Sequence, residues 1–104
     1  MKTLKRAAFR KFDITPSEYQ LFKFSISRST TILIRLIATS PVNLLLLDNE
    51  DRAEYEGGIE THSYTNSWGR RIDLEEEVQV GSGTWYLVVE GYKEPSSGIV
   101  EVYK

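Results

Sequence analysis

The chain has 104 residues and a formal net charge of −2, with 40 % hydrophobic residues, 27 % charged residues and no cysteine. That length excludes a two-domain enzyme, a TIM barrel and a complete doubly wound nucleotide-binding fold. The missing cysteine excludes thiol catalysis, cysteine–zinc sites and iron–sulfur clusters, and the small net charge argues against nucleic acid or an anionic membrane as partner.

Met1 to Arg6 looks like the charged start of a signal peptide. No apolar segment follows, because Ala7-Ala8-Phe9 runs into Arg10-Lys11. The longest strictly apolar run is Leu44 to Leu47, far short of a membrane span. The expected setting is the cytoplasm for the chain as it stands, or the extracellular space for a domain excised from a secreted protein. Residues 1–14 fit either an N-terminal arm or an edge strand, and the edge strand from about Arg6 is preferred. Residues 1–35 hold eight basic and two acidic groups, and the remainder holds five and thirteen. The simplest reading sets basic strands beside acidic ones; a basic arm meeting an acidic partner is the alternative.

The dominant period from Tyr19 onward is two, the signature of half-buried strands. Tyr19 to Arg28 alternates, with Phe22, Phe24 and Ile26 on one face. Thr31 to Thr39 alternates next, and Ser40-Pro41 is expected to end it, because proline donates no ladder hydrogen bond. Val42 to Leu47 is apolar on both faces. Asp48 to Asp51 reads as a polar loop, Arg52 to Glu56 as one helical turn, and Gly57-Gly58 as its close. Ile59 to Thr65 reads as a strand and Asn66 to Arg71 as a loop. Ile72 to Val80 sets Ile72, Leu74, Val78 and Val80 against Asp73, Glu75, Glu77 and Gln79. Gly81-Ser82-Gly83 is a hairpin turn, Thr84 to Tyr92 a strand with Trp85, Leu87 and Val89 on one face, and Ile99 to Lys104 the last strand. The pattern predicts one all-β domain over residues 1–104, an antiparallel jelly-roll-like β-sandwich of seven or eight short strands.

Asn43-Leu44-Leu45-Leu46-Leu47-Asp48, Tyr55-Glu56-Gly57-Gly58 and the run Gly81 to Val89 occur in that order. Over roughly residues 19–104 this resembles small bacterial β-sandwich domains of unknown function. More distantly it resembles the pre-peptidase C-terminal domains of secreted proteases. The resemblance implies a jelly-roll-like sandwich with a non-catalytic accessory or binding role. The chain departs from the protease-associated pattern in lacking a paired acidic motif before Asn43, which counts against calcium binding and a secreted context.

Catalytic inventory is poor. His62 is the one histidine, and Gly81-Ser82-Gly83 serves a turn rather than a nucleophile elbow. No cofactor is expected. Asp48, Asn49, Glu50 and Asp51 are the candidate oxygen ligands, without EF-hand spacing. Glu76 breaks the apolar face of its strand, which predicts a β-bulge near Glu75–Glu77 or a pairing with Arg35 or Arg28. Trp68, placed in a loop, is the leading binding residue, with Arg70 and Arg71 as anion contacts and Tyr55, Tyr64 and Tyr92 as rim aromatics. Leu33, Ile37, Leu45 and Leu47 form a second apolar face. They need cover from the N-terminal segment, the 52–58 turn or a partner, including a second copy as a homodimer. The expected role is a non-catalytic protein-interaction module. A carbohydrate-binding module is the alternative; it requires Trp68 and a tyrosine exposed and coplanar. A small enzyme ranks third.

Overall fold

A 19-residue strand organises the molecule. The computed structural model describes residues 5–56 and 67–104. They form β1 (Arg6–Ile14), β2 (Tyr19–Ile26), β3 (Thr30–Asp48), α1 (Asn49–Glu56), β4 (Ser67–Val80), β5 (Gly83–Gly91) and β6 (Ser96–Tyr103). The expected strand Ile59–Thr65, with His62 and Tyr64, lies outside the described residues, as do Gly57-Gly58.

All pairings are antiparallel, and β3 belongs to two sheets. Its first half lies between β6, from Leu33↔Tyr103 to Ala38↔Gly98, and β4, from Thr30↔Val80 to Ile37↔Asp73. Its second half pairs with β5, from Val42↔Gly91 to Asp48↔Trp85. β1 extends the first sheet beside β6, and β2 extends the second beside β5. The strand order is β1-β6-β3-β5-β2 with β4 along both halves of β3, and the β1-β6 and β5-β2 sides make the two layers of the all-β sandwich that the period-two pattern predicts. Two expected strands, 31–39 and 42–47, are one strand here.

The break expected at Ser40-Pro41 is therefore corrected. The β4 ladder steps from Ile37↔Asp73 to Val42↔Arg71, leaving a bulge on β3, and the β6 ladder ends at Ala38. Pro41 sits in that gap, where no ladder donor is needed. Side chains replace the missing ladder. The buried Ser96 hydroxyl accepts from Ser40 N–H at 3.1 Å and donates to Ser40 C=O at 2.7 Å, while Ser97 N–H donates to Thr39 Oγ1 at 3.0 Å.

Face alternation survives the switch. Ile32, Ile34, Leu36, Val42, Leu44 and Leu46 are all buried between the sheets. They pack in one core with Phe12, Ile14, Phe24, Ile26, Leu74, Val80, Leu87, Val89, Val100 and Val102; Trp85 flanks that core. Each such burial is worth roughly 1.5–3 kcal/mol. On the outer face of the second sheet Leu45, Leu47, Tyr86 and Val88 form a smaller cluster, packed by Leu21 and by Tyr55 from α1.

α1 is two turns long rather than one, and it begins at Asn49. Asp48 caps it, accepting from Asp51 N–H at 2.8 Å, with Glu50 and Asp51 favourably placed in the first turn. The β1–β2 turn is closed by Glu18 N–H on Thr15 C=O at 3.0 Å and by Thr15 N–H on Glu18 Oε1 at 2.9 Å. Pro16 takes the turn position that its fixed φ suits.

The bulge expected at Glu75–Glu77 is absent, because pairing runs unbroken from Thr30↔Val80 to Ile37↔Asp73. Glu76 lies opposite Ile34 on the inward side. β4 is an edge among the described residues, so its carboxylate escapes sideways. Arg10 holds the equivalent inward position on β1, opposite Val100. Inward charges on edge strands discourage unspecific strand addition.

Gly98 crosses β3 so closely that a Cβ there would lie 1.9 Å from Ile37 O and 2.9 Å from Ala38 Cα, both backbone atoms. A Cβ on Gly81 would meet nothing nearer than Ser29 Oγ at 4.0 Å. Denaturant unfolding should therefore show Gly98→Ala losing roughly 3 kcal/mol or more, and Gly81→Ala roughly 1 kcal/mol or less. Equal small losses would contradict the close β3–β6 crossing.

Candidate functional site

The sandwich sends the expected binding residues to different places. Trp68 is in β4 rather than in a loop. It pairs with Leu44 and packs, half-buried, against the main core. Arg70 adopts a left-handed conformation, φ 58°, which turns the chain where β4 leaves the second sheet. Its N–H donates to Asn43 Oδ1 at 3.1 Å, and its guanidinium lies 5.3 Å from the centroid of the Tyr92 ring. Arg71 leaves the other way, with its Nε donating to Asp73 C=O at 3.3 Å. Trp68, Arg70 and Arg71 therefore do not share one platform.

Tyr55 lies over the second cluster, donates to a Glu90 carboxylate oxygen and meets Tyr19 edge to face at 5.1 Å. Tyr19, Glu90 and Asn43 form one row across the outer face. Tyr55, Arg70 and Tyr92 thus flank a common row that Trp68 does not join. Leu45 and Leu47 are corrected as interface residues. α1 covers their face, with Arg52 5.0 Å over Tyr86 and Asn49 Oδ1 accepting from Tyr86 OH at 2.9 Å. The acidic group Asp48–Asp51 is likewise part of the helix start, not a free loop. Among the described residues no three histidine, aspartate or glutamate side chains gather to hold a metal ion. Nor is any described helix long and apolar enough to cross a membrane.

Among the described residues no helix covers the outer face of the first sheet. Leu33 is half-buried there, while Ile37 is 50 % exposed, and Ile72, expected inside, is 51 % exposed. Ile72 is exposed where the β3 register steps from Ile37↔Asp73 to Val42↔Arg71 and leaves it without a β3 partner. The opening leaves a groove of about 460 Å³, lined by Arg35, Leu36, Ile37, Arg71, Asp73, Leu74 and Glu75. Its apolar floor and mixed-charge rim are the chemistry of a protein contact.

Beside the groove Glu101 is buried on the outer face and tied on three sides. Tyr103 OH donates to it at 2.8 Å, Arg6 NH1 lies at 3.3 Å and Arg35 NH1 at 3.8 Å. Arg35 also reaches Glu75 at 4.0 Å. Basic residues of the first third thus meet acidic residues of later strands, as the charge distribution suggested. The Tyr103 hydroxyl first, then Arg6 and Arg35, hold the Glu101 carboxyl below the ordinary carboxylate range, against the opposing effect of burial. Glu101 was not singled out from sequence; the signal was a lone charge inside Ile99-Val100-Glu101-Val102.

No protein-family model matches the sequence, and no curated protein does. Among solved structures the chain is similar to the pre-peptidase C-terminal domain of collagenase from Bacillus anthracis. The TM-score is 0.66 at 16 % identity, over 94 % of this chain and 89 % of that one. The likeness is one of fold, and it agrees with the resemblance carried by the Asn43 and Gly81 strands.

A carboxyl whose pKa is lowered by folding stabilises the folded state above its unfolded value. That contribution is lost as pH falls through the folded value. The stability difference between wild type and Glu101→Gln should be full above pH 4.5, the unperturbed value, and should shrink progressively below it. Unfolding midpoints measured across pH 2–7 check this. A difference that is constant with pH would refute it.

Proposed function

We propose that this chain is a non-catalytic protein-interaction module whose contact surface is the groove where β3 bulges away from β4. The observation that carries this reading is the groove in which half-exposed Ile37 is set among Arg35, Arg71, Asp73 and Glu75, with half-exposed Ile72 in the same stretch of β4. Exposed apolar groups ringed by charges of both signs suit a polar-rimmed protein contact. The similar solved structure is a C-terminal domain of a collagenase. Carried over, that likeness favours an accessory domain over a seat of catalysis.

The carbohydrate reading has less support. It requires Trp68 and a tyrosine exposed and coplanar, whereas Trp68 packs on the core and Tyr19 and Tyr55 stand at 89°. Thermal unfolding with a panel of soluble oligosaccharides and with calcium should leave the midpoint unmoved. The double variant Ile37→Ser/Ile72→Ser should also unfold within roughly 4 °C of wild type, because half-exposed groups contribute little to the fold. A rise of about 4 °C or more with one oligosaccharide, lost in Tyr19→Ala or Tyr92→Ala, would replace the protein-contact reading with a sugar-binding one.

A further inference from the structure

We infer that this chain associates with a second copy by antiparallel pairing of β4 with β4 about a two-fold axis at Asp73, along the rim of the groove. The inference rests on the protein-contact reading above and names its partner. Four observations carry it. Among the described residues β4 bonds to β3 alone, and no described strand pairs with its other edge. Along that edge the order is Arg71, Ile72, Asp73, Leu74, Glu75. Arg71 makes no ion pair among the described residues, and Glu75 keeps its side chain 64 % exposed, with one loose contact to Arg35 at 4.0 Å. Ile72 stands half-exposed at the centre.

In an antiparallel pair, directly opposite residues share a face. Centring the two-fold on Asp73 sets Arg71 opposite the second copy's Glu75, twice by symmetry. Each contact is reciprocal, as an isologous interface requires. Shifting the centre to Glu76 would oppose Glu75 to Glu77 and Glu76 to itself. The glutamates that guard the edge against unspecific addition therefore select this register. Its one unfavourable contact is Asp73 against Asp73 on the axis, so Asp73→Asn should tighten the association.

Sedimentation equilibrium up to about 1 mM chain tests it. The wild type should dimerise. Arg71→Glu and Glu75→Arg should each weaken self-association at least about tenfold, because each converts two attractive pairs into two repulsive ones. Mixed together, the two variants should form a heterodimer, since every Glu then faces an Arg. Circular dichroism melts confirm that both exposed-site variants fold. A wild type that stays monomeric at the highest concentration overturns the inference. So does a dimer indifferent to either reversal, or a mixture that does not associate. A monomer would leave the protein-contact reading standing with a partner of other sequence, whereas an oligosaccharide-induced shift would remove that reading itself.

Discussion

The structure depends on one strand serving two sheets. β3 can do so only if its backbone is satisfied where it changes partners, because an unpaired buried amide or carbonyl costs about 1–3 kcal/mol. Ser96 solves this with one hydroxyl that both accepts from and donates to Ser40. Pro41 removes a donor at the position where the ladder has no acceptor for it. Because the face alternation of β3 is kept through the gap, both halves feed a single core. The two layers are thereby held together through covalent continuity as well as packing.

The same switch creates the surface feature. Opening the β3–β4 ladder leaves Ile72 without a β3 partner and leaves a groove lined by Ile37 among Arg35, Arg71, Asp73 and Glu75. The outer face of the second sheet is treated differently. There α1, capped by Asp48, lays Tyr55 and Arg52 over Leu45, Leu47 and Tyr86. One sheet is closed by its own helix while no described helix covers the other, and that asymmetry makes the latter the candidate for contact.

Much of this was legible in the sequence, for a physical reason. Side chains alternate across a strand, so β2, the first half of β3, β5 and Leu74–Val80 declared themselves by period two, the second half of β3 by a run apolar on both faces, and Gly81-Ser82-Gly83 marked the hairpin. The doubled apolar face of Leu45 and Leu47 correctly called for cover, with the segment after Asp51 among the candidates. What stayed hidden depends on distant partners. Nothing near Ser40 shows that Ser96, 56 residues on, stands in for a ladder. Trp68 read as a loop residue because its strand is bent at Arg70, a left-handed arginine held by Asn43. Ile72 read as core because its exposure comes from a bulge on the neighbouring strand. Glu76 needed no bulge because β4 is an edge strand among the described residues.

Denaturant unfolding of Ser96→Ala against wild type tests the central claim, that the hydroxyl at the strand switch holds both layers in one cooperative unit. The account predicts a loss of about 1–3 kcal/mol from the two unsatisfied groups left on Ser40. The loss should appear in a single transition reported alike by tryptophan fluorescence, from Trp68 and Trp85 beside the second half of β3, and by far-UV circular dichroism, which sees the strands of both layers. A loss below about 0.5 kcal/mol, the range of an ordinary surface change, or separate transitions by the two probes, would contradict it.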